Sequence, residues 1–89
     1  MRAIVTVIGK DRVGIIASVC SLLAESGVNI LDISQTIMQE YFTMIMLVDL
    51  AACALPFNQL SNSLKKRGED ESLSIRIQRE DIFTAMHRI

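Results

Sequence analysis

The spacing of hydrophobic side chains first changes from that of a strand to that of a helix within Ala3-Ile4-Val5-Thr6-Val7-Ile8-Gly9-Lys10-Asp11-Arg12-Val13-Gly14-Ile15. Five of its first six residues are apolar, and most of the six are β-branched, which predicts a strand that is covered on at least one face. Apolar side chains then recur at helical spacing from Val13 to Ser26, and Asp11 is placed to act as the N-cap. Gly27 suits the left-handed position that follows a helix. We therefore expect a strand, a tight loop and a helix in this order.

The residues after Gly27 predict two strands. From Val28 to Met38 the hydrophobic period is two, with Leu31, Ile33 and Ile37 on the apolar face. Phe42–Leu50 is apolar on both faces, which is typical of a central strand.

The second half of the chain repeats the strand and helix pattern of the first. A helix is expected to begin with Pro56 in its first turn and to end at Gly68. Lys65-Lys66-Arg67 then lies in the last turn, where cations offset the helix dipole. We expect Glu69-Asp70-Glu71 to form a solvated link, and Ser72–Arg79 alternates as an edge strand does.

The element order is β-α-β-β-α-β, which predicts an α+β, ferredoxin-like fold with a four-stranded antiparallel sheet and both helices on one face. Two strands are apolar on both sides, so the uncovered sheet face predicts an interface. We expect residues 1–79 to form the domain and residues 80–89 to form a short C-terminal helix. So short a helix is unstable alone, so it should pack on the sheet or on a partner subunit. The chain is therefore expected to be a homodimer or a higher oligomer.

The composition excludes several classes of function. Of the 89 residues, 51% are hydrophobic and 21% are charged, and the net charge is −1. This balance lacks the basic field of a nucleic-acid-binding protein, and an aromatic content of 4% without Trp argues against a base-stacking surface. We find no pattern of a signal peptide or membrane span, so no membrane partner is expected. Cys20 and Cys53 have no paired spacing, and we expect reduced thiols in the cytoplasm.

The loop between the first strand and the first helix is a candidate ligand site. The N–H groups of residues 13–15 are expected at a helix N-terminus, where a carboxylate is favoured. Gly14 would let a ligand approach the backbone closely. Asp11 has two interpretations, because it could cap these amides or pair with a ligand ammonium group. Lys10 and Arg12 are either cations for an anionic ligand or simply solvated charges.

The segment from Gly9 to Ile15, followed by Gly27-Val28-Asn29-Ile30, resembles the ACT domain, a ferredoxin-like regulatory module. Three further segments strengthen the resemblance: Asp32-Ile33-Ser34-Gln35-Thr36-Ile37, Tyr41-Phe42-Thr43-Met44 and the tail from Gln78 to Ile89. Together they look like the small stand-alone ACT proteins of prokaryotes, and the resemblance spans essentially the whole chain.

The resemblance implies a sheet order of 4-1-3-2, dimers that pair through strand two, and an amino acid bound at the dimer interface. The implied ligand-binding residues are Asp11, Arg12, Val13, Gly14, Ile15, Asn29 and Ile30, with Lys10 and Asp32 as secondary candidates. Asn29 would reach the site formed by the partner's loop, although it is equally a turn residue after Gly27. Asp32 is better interpreted as exposed or interfacial than as a ligand contact. Many ACT loops have Pro where this chain has Val13, and serine-sensing members have His where it has Gly9, so serine is not implied.

We find no constellation of catalytic or metal-binding residues. Ser18 and Ser21 have no nearby His as a base, and His87 has no Cys or acidic residue at metal-ligand spacing. Neither a metal nor a cofactor is therefore expected. Two functions remain: a non-enzymatic regulatory module that binds an amino acid or similar small carboxylate, or a constitutive interaction module without a ligand. The expected partners are a second copy of the chain and a regulated enzyme or regulator.

Overall fold

The computed structural model describes residues 1–10 and 13–82. Its elements are β1 (Arg2–Lys10), α1 (Ile15–Glu25), β2 (Asn29–Met38), β3 (Tyr41–Asp49), α2 (Phe57–Asp70) and β4 (Ser74–Arg79). This order confirms the α+β, ferredoxin-like class. A helical turn follows at Glu80 and runs to Ile82, whereas the rest of the predicted tail, residues 83–89, lies outside the described residues. Within the described ranges, no helix is both long and apolar enough to cross a bilayer.

The four strands form one antiparallel sheet in the order β2-β3-β1-β4. This is the expected 4-1-3-2 order seen from the other edge, and it confirms that β3 is central. Lys10 lies opposite Tyr41 at one end of the sheet, and Arg2 lies opposite Asp49 at the other. The β1–α1 loop leaves from the first of these ends, and β2 begins at the second. The two predicted halves of the ligand site therefore belong to opposite ends of the sheet.

The core lies between the sheet and the two helices. Alternate residues of β1, β3 and β4 face the helices, since strand side chains alternate between the two faces of a sheet. The buried apolar residues are Ala3, Val5, Val7, Ile15, Val19, Leu23, Val28, Phe42, Met44, Met46, Val48, Leu50, Leu60, Leu64, Leu73, Ile75 and Ile77. Burial of this one face leaves the even-numbered residues of β1 on the other, which we call the open face.

The end of α1 agrees with the sequence prediction. Gly27 has a φ of 80°, which is the left-handed conformation. Its N–H donates to the carbonyl of Ala24 at 3.1 Å, and the N–H of Val28 donates to the carbonyl of Leu23 at 2.9 Å. These two bonds form a Schellman motif. A Cβ on Gly27 would also lie 2.7 Å from the Ala52 carbonyl oxygen, so both backbone conformation and space require glycine here.

The predicted boundaries of α2 are wrong at both ends. Pro56 is the N-cap residue rather than a member of the first turn. Gly68 does not end the helix, which continues to Asp70. Instead, Gly68 is buried against the start of β4, and a Cβ there would lie 2.6 Å from the carbonyl oxygen of Leu73. Glu71 is the half-buried C-cap of α2 and not part of a solvated link.

β2 is an exposed edge strand with an interrupted alternation. A β-bulge between Ile30 and Asp32 leaves Leu31 without a paired residue on β3. Strict period two predicted that Leu31 shares a face with Ile33 and Ile37. Because of the bulge, Leu31 does not continue the row that these two residues form. Apart from half-buried Ile30, every residue of β2 is exposed.

Candidate functional site

The β1–α1 loop presents an open backbone surface. Val13 is 98% exposed, and Gly14 is exposed with a φ of 92°. A Cβ on Gly14 would meet no heavy atom within 4 Å. The backbone at Val13 and Gly14 is therefore exposed, and its contact with a ligand stays a prediction. Asp11 and Arg12 lie outside the described residues, and their ligand contacts stay predictions.

α1 begins two residues later than its hydrophobic pattern predicted. The N-cap is Gly14, which has no side chain to cap the helix, and not Asp11. The first helical hydrogen bond runs from the N–H of Ser18 to the carbonyl of Gly14 at 2.9 Å. The N–H groups of Ile15, Ile16 and Ala17 precede this bond in the chain. They have no hydrogen-bond partner within the helix, because no helical carbonyl lies one turn before them. The predicted anion site thus moves from the amides of residues 13–15 to those of residues 15–17. Gly14 was the missed signal, since glycine is accepted as an N-cap.

The side chains of Ile15 and Lys10 have structural surroundings. Ile15 is buried in the core, and its contact with a ligand stays a prediction. Lys10 lines an open cavity of about 480 Å³ together with Asp70, Glu71 and Ser72. The carboxylates in this lining favour Lys10 as part of the local charge balance over a direct ligand contact.

A polar network that the sequence did not reveal connects the first half of α1 to the end of α2. The Ser18 hydroxyl donates to Glu71 Oε2. Arg67 Nη1 donates to Ser18 Oγ at 3.1 Å and to the Ser18 carbonyl at 3.4 Å. The network is partly buried, and it holds the N-terminal part of α1 against α2. Sequence patterns cannot identify a contact between residues 53 positions apart.

Three candidate residues lie at the start of β2. Asn29 is exposed and is the first residue of the strand. Ile30 is half-buried and packs against the core, and its contact with a ligand stays a prediction. Asp32 is exposed on the open face opposite Leu47, and its Oδ1 accepts a hydrogen bond from the Ile33 N–H at 2.9 Å. This placement agrees with the interpretation of Asp32 as a surface residue.

A single chain does not bring Asn29 and the β1–α1 loop together. Asn29 lies opposite Asp49, and Lys10, the last residue before the loop, lies opposite Tyr41. The eight residue steps along β3 between these two rows correspond to about 27 Å at the usual strand rise. One small ligand cannot span this distance, so a site containing both groups needs a second chain.

Titratable side chains give no sign of a catalytic or metal centre in the part of the chain that the structure describes. Residues 1–10 and 13–82 contain no group of three or more His, Cys, Asp or Glu side chains that could hold a metal ion. Burial raises the pKa of the half-buried Cys20 thiol, which disfavours the reactive thiolate.

Comparisons with known proteins agree with this fold. The family model described as the ACT domain matches residues 2–78. A UPF0237 protein of Clostridium acetobutylicum is 58% identical over 89 residues, which is 100% of both chains. The structure of an ACT domain protein from Streptococcus pneumoniae has a TM-score of 0.83 and 45% identity, covering 98% of each chain. A formyltetrahydrofolate deformylase from Pseudomonas syringae pv. tomato has a TM-score of 0.76 and 26% identity, over 88% of this chain and 27% of that one. The chain therefore belongs to the ACT domain family.

Proposed function

We propose that the chain is a non-enzymatic regulatory module of the cytoplasm that binds an amino acid or a similar small carboxylate at a homodimer interface. ACT domains are regulatory modules that bind small ligands. The observation that carries the proposal is the separation of the two candidate ligand-binding groups. The N-terminal amides of α1 and the exposed amide side chain of Asn29 lie at opposite ends of the sheet.

The exposed edge of β2 supplies the means to unite these groups. If two β2 strands pair antiparallel about a two-fold axis through the middle of the strand, the first residue of one strand meets the last residue of the other. Asn29 of one protomer then lies beside Met38 of its partner, and Met38 is paired with Tyr41 at the end of the sheet from which the loop leaves. Ile37 and Met38 are 57% and 69% exposed in the single chain, which favours burial against a second copy.

The chemistry of the united site suits an α-amino acid. The N–H groups of Ile15, Ile16 and Ala17 would receive the carboxylate, helped by the positive end of the α1 dipole. The Asn29 amide both donates and accepts hydrogen bonds, and the Asp11 carboxylate would pair with the ligand ammonium group. Arg12 would provide a cation for ligands with an acidic side chain.

The test is a thermal-shift screen of the wild-type dimer against the individual amino acids at millimolar concentration. A ligand stabilises the folded state by RT ln(1 + [L]/Kd), so a true ligand raises Tm in proportion to log concentration. Asn29→Ala should abolish the shift without dissociating the dimer. Asn62→Ala is the matched control, because Asn62 is an exposed asparagine on α2, and it should retain the full shift.

The exposed apolar edge of β2 also supports a second function, a constitutive interaction module without a ligand. A folded dimer that shows no Tm shift with any amino acid would favour this alternative. A shift that survives Asn29→Ala would contradict the proposed site while leaving amino-acid binding intact.

A further inference from the structure

Ser18 on α1 is bonded to the end of α2 through both its side chain and its backbone. Its hydroxyl donates to Glu71 Oε2. Arg67 Nη1 donates to the same hydroxyl oxygen at 3.1 Å and to the Ser18 carbonyl oxygen at 3.4 Å. All three residues are half-buried, so water screens these bonds less than it would at the surface. The end of α2 therefore holds α1 at one particular residue.

Ser18 is the residue that closes the first turn of α1. Its N–H donates to the carbonyl of Gly14 at 2.9 Å, which is the first hydrogen bond of the helix. The N–H groups of Ile15, Ile16 and Ala17 lie within this turn and have no partner inside the helix. A restraint on Ser18 is therefore also a restraint on the turn that carries these three amides.

The first turn of α1 lacks the usual means of holding a helix N-terminus. Gly14 is the N-cap, the first turn contains no acidic residue, and the described residues place no side-chain hydrogen bond at the cap. A Ser, Thr or Asp at this position would stabilise the turn but would also occupy one of its amides. The bonds from α2 stabilise the turn without using the amides that a ligand carboxylate needs.

Glu71 is held firmly enough to serve as the anchor of this network. It is the C-cap residue of α2. Ser72 follows in the left-handed conformation with a φ of 58°, and its N–H donates to the Glu69 carbonyl at 3.4 Å. The N–H of Leu73 donates to the Gly68 carbonyl at 2.7 Å. These bonds form a Schellman motif, which fixes the backbone at the end of α2. The acceptor of the α1 hydroxyl therefore has a fixed backbone position.

Glu71 also borders the base of the β1–α1 loop. It lines the open cavity of about 480 Å³ together with Lys10, Asp70 and Ser72. Lys10 is the last residue of β1, from which the loop leaves. One residue at the end of α2 thus contacts α1 and lies beside the start of the loop that leads into it. This placement suits a residue that sets the position of the first turn of α1.

We propose that Arg67 and Glu71 are positioning residues of the candidate ligand site and that they act through Ser18. They hold the first turn of α1 in place before a ligand arrives, so its amides need no reordering to receive a carboxylate. Preorganisation of this kind raises affinity, because less conformational entropy is lost on binding. This role rests on the proposed function, since it concerns the affinity of the same site.

Calorimetric titration of the full chain with the amino acid that gives the largest Tm shift measures the effect on affinity. Ser18→Ala removes the shared hydroxyl and should raise the Kd about fivefold. Ser21→Ala changes an exposed serine on the same helix and should leave the Kd unchanged. Arg67→Met is a second test variant, which removes both bonds to Ser18 and should also raise the Kd. Its control is Lys66→Met, which removes an exposed cation beside it on α2.

Backbone amide NMR relaxation of the ligand-free chain tests the positioning itself. The N–H groups of Ile15, Ile16 and Ala17 should have lower order parameters in Ser18→Ala and Arg67→Met than in the wild type. The two control variants should retain the wild-type values. A purely structural contribution to stability would leave these order parameters unchanged in the folded chain.

The outcomes separate this role from the proposed function. An amino acid that binds the wild type, Ser18→Ala and Arg67→Met with the same Kd would overturn the positioning role and leave the proposed function standing. If no amino acid binds the wild type, the proposed function fails, and the order parameters alone decide whether α2 positions the turn. Unchanged order parameters in both test variants would overturn the positioning role in either case.

Discussion

The two βαβ halves have the same fold but different outer surfaces. In the first half, the exposed residues of α1 include Ile16, Ala17 and Ala24, and Glu25 is its one charged residue. In the second half, α2 exposes Lys65, Lys66, Glu69 and Asp70 to water. The helix of the first half therefore has an apolar outer surface typical of a protein interface, and the helix of the second half has a charged outer surface typical of one that faces solvent.

The two edge strands differ in the same direction. β2 exposes apolar side chains such as Ile33 and Ile37, whereas β4 exposes Ser74, Arg76 and Arg79. Charged residues on an edge strand oppose pairing with another chain. One fold thus has one edge suited to assembly and one edge protected from it, and the difference resides in the side chains alone.

The largest expected effect is the loss of dimer affinity when charged residues replace apolar residues on β2. Ile33→Lys combined with Ile37→Lys places four lysines in the proposed symmetric β2 interface, since each chain contributes two. The dimer Kd should rise at least about a hundredfold because unpaired charges would be desolvated there. Sedimentation across micromolar concentrations measures this. Ser74→Lys on β4 is the control and should leave the Kd unchanged; a similar loss in that variant would remove the distinction between the edges.

Gly68 distinguishes the helix of the second half from that of the first. Gly68→Ala should lower the free energy of unfolding by about 2 kcal/mol, since its Cβ would overlap the Leu73 carbonyl and strain outweighs the gain in helix propensity. Gly14→Ala has no such overlap and should lose only about 1 kcal/mol from its positive φ. Urea unfolding measures both, and a stabilised Gly68→Ala variant would contradict the close packing of α2 on β4.

The network that connects the two helices should have a smaller effect. Ser18→Ala removes the hydroxyl that bonds to Glu71 and Arg67, and it should destabilise the fold by about 1 kcal/mol. Ser21→Ala provides the matched control, because Ser21 is an exposed serine on the same helix. Equal unfolding midpoints for the two variants would show that the network adds no stability.

The smallest effect concerns Cys20 and pH. Its pKa is raised in the folded chain by burial, so the unfolded chain ionises first as pH rises. The stability from the neutral buried thiol is complete below the ordinary pKa of cysteine and is lost as pH rises toward the folded value. The stability of the wild type relative to Cys20→Ala should therefore decrease between pH 8 and pH 10 in urea titrations. A difference in the free energy of unfolding between the two proteins that does not change with pH would mean that the Cys20 thiol is not desolvated.

Periodic patterns predicted most of the fold but little of the site geometry. The strand faces of β3 and the glycine end of α1 followed from local sequence, because alternation and left-handed backbone are local properties. The start of α1 was wrong because Asp11 and Gly14 both suit an N-cap, and the pattern of apolar residues does not choose between them. Glycine after basic residues is typical of a helix end, so the sequence predicts one at Gly68. Its close packing against β4 depends on a contact between separate elements, which local sequence does not show.

The sequence by itself determined the element order, the core-facing residues and the resemblance to a regulatory family, since these depend on spacing along the chain. Only the tertiary structure decided where functional groups lie relative to one another. It placed Asn29 and the loop at opposite ends of the sheet, joined Ser18 to Glu71, and turned Glu80 toward the open face. The physical reason is that strand register and helix packing set distances across the fold, and local periodicity predicts neither of them.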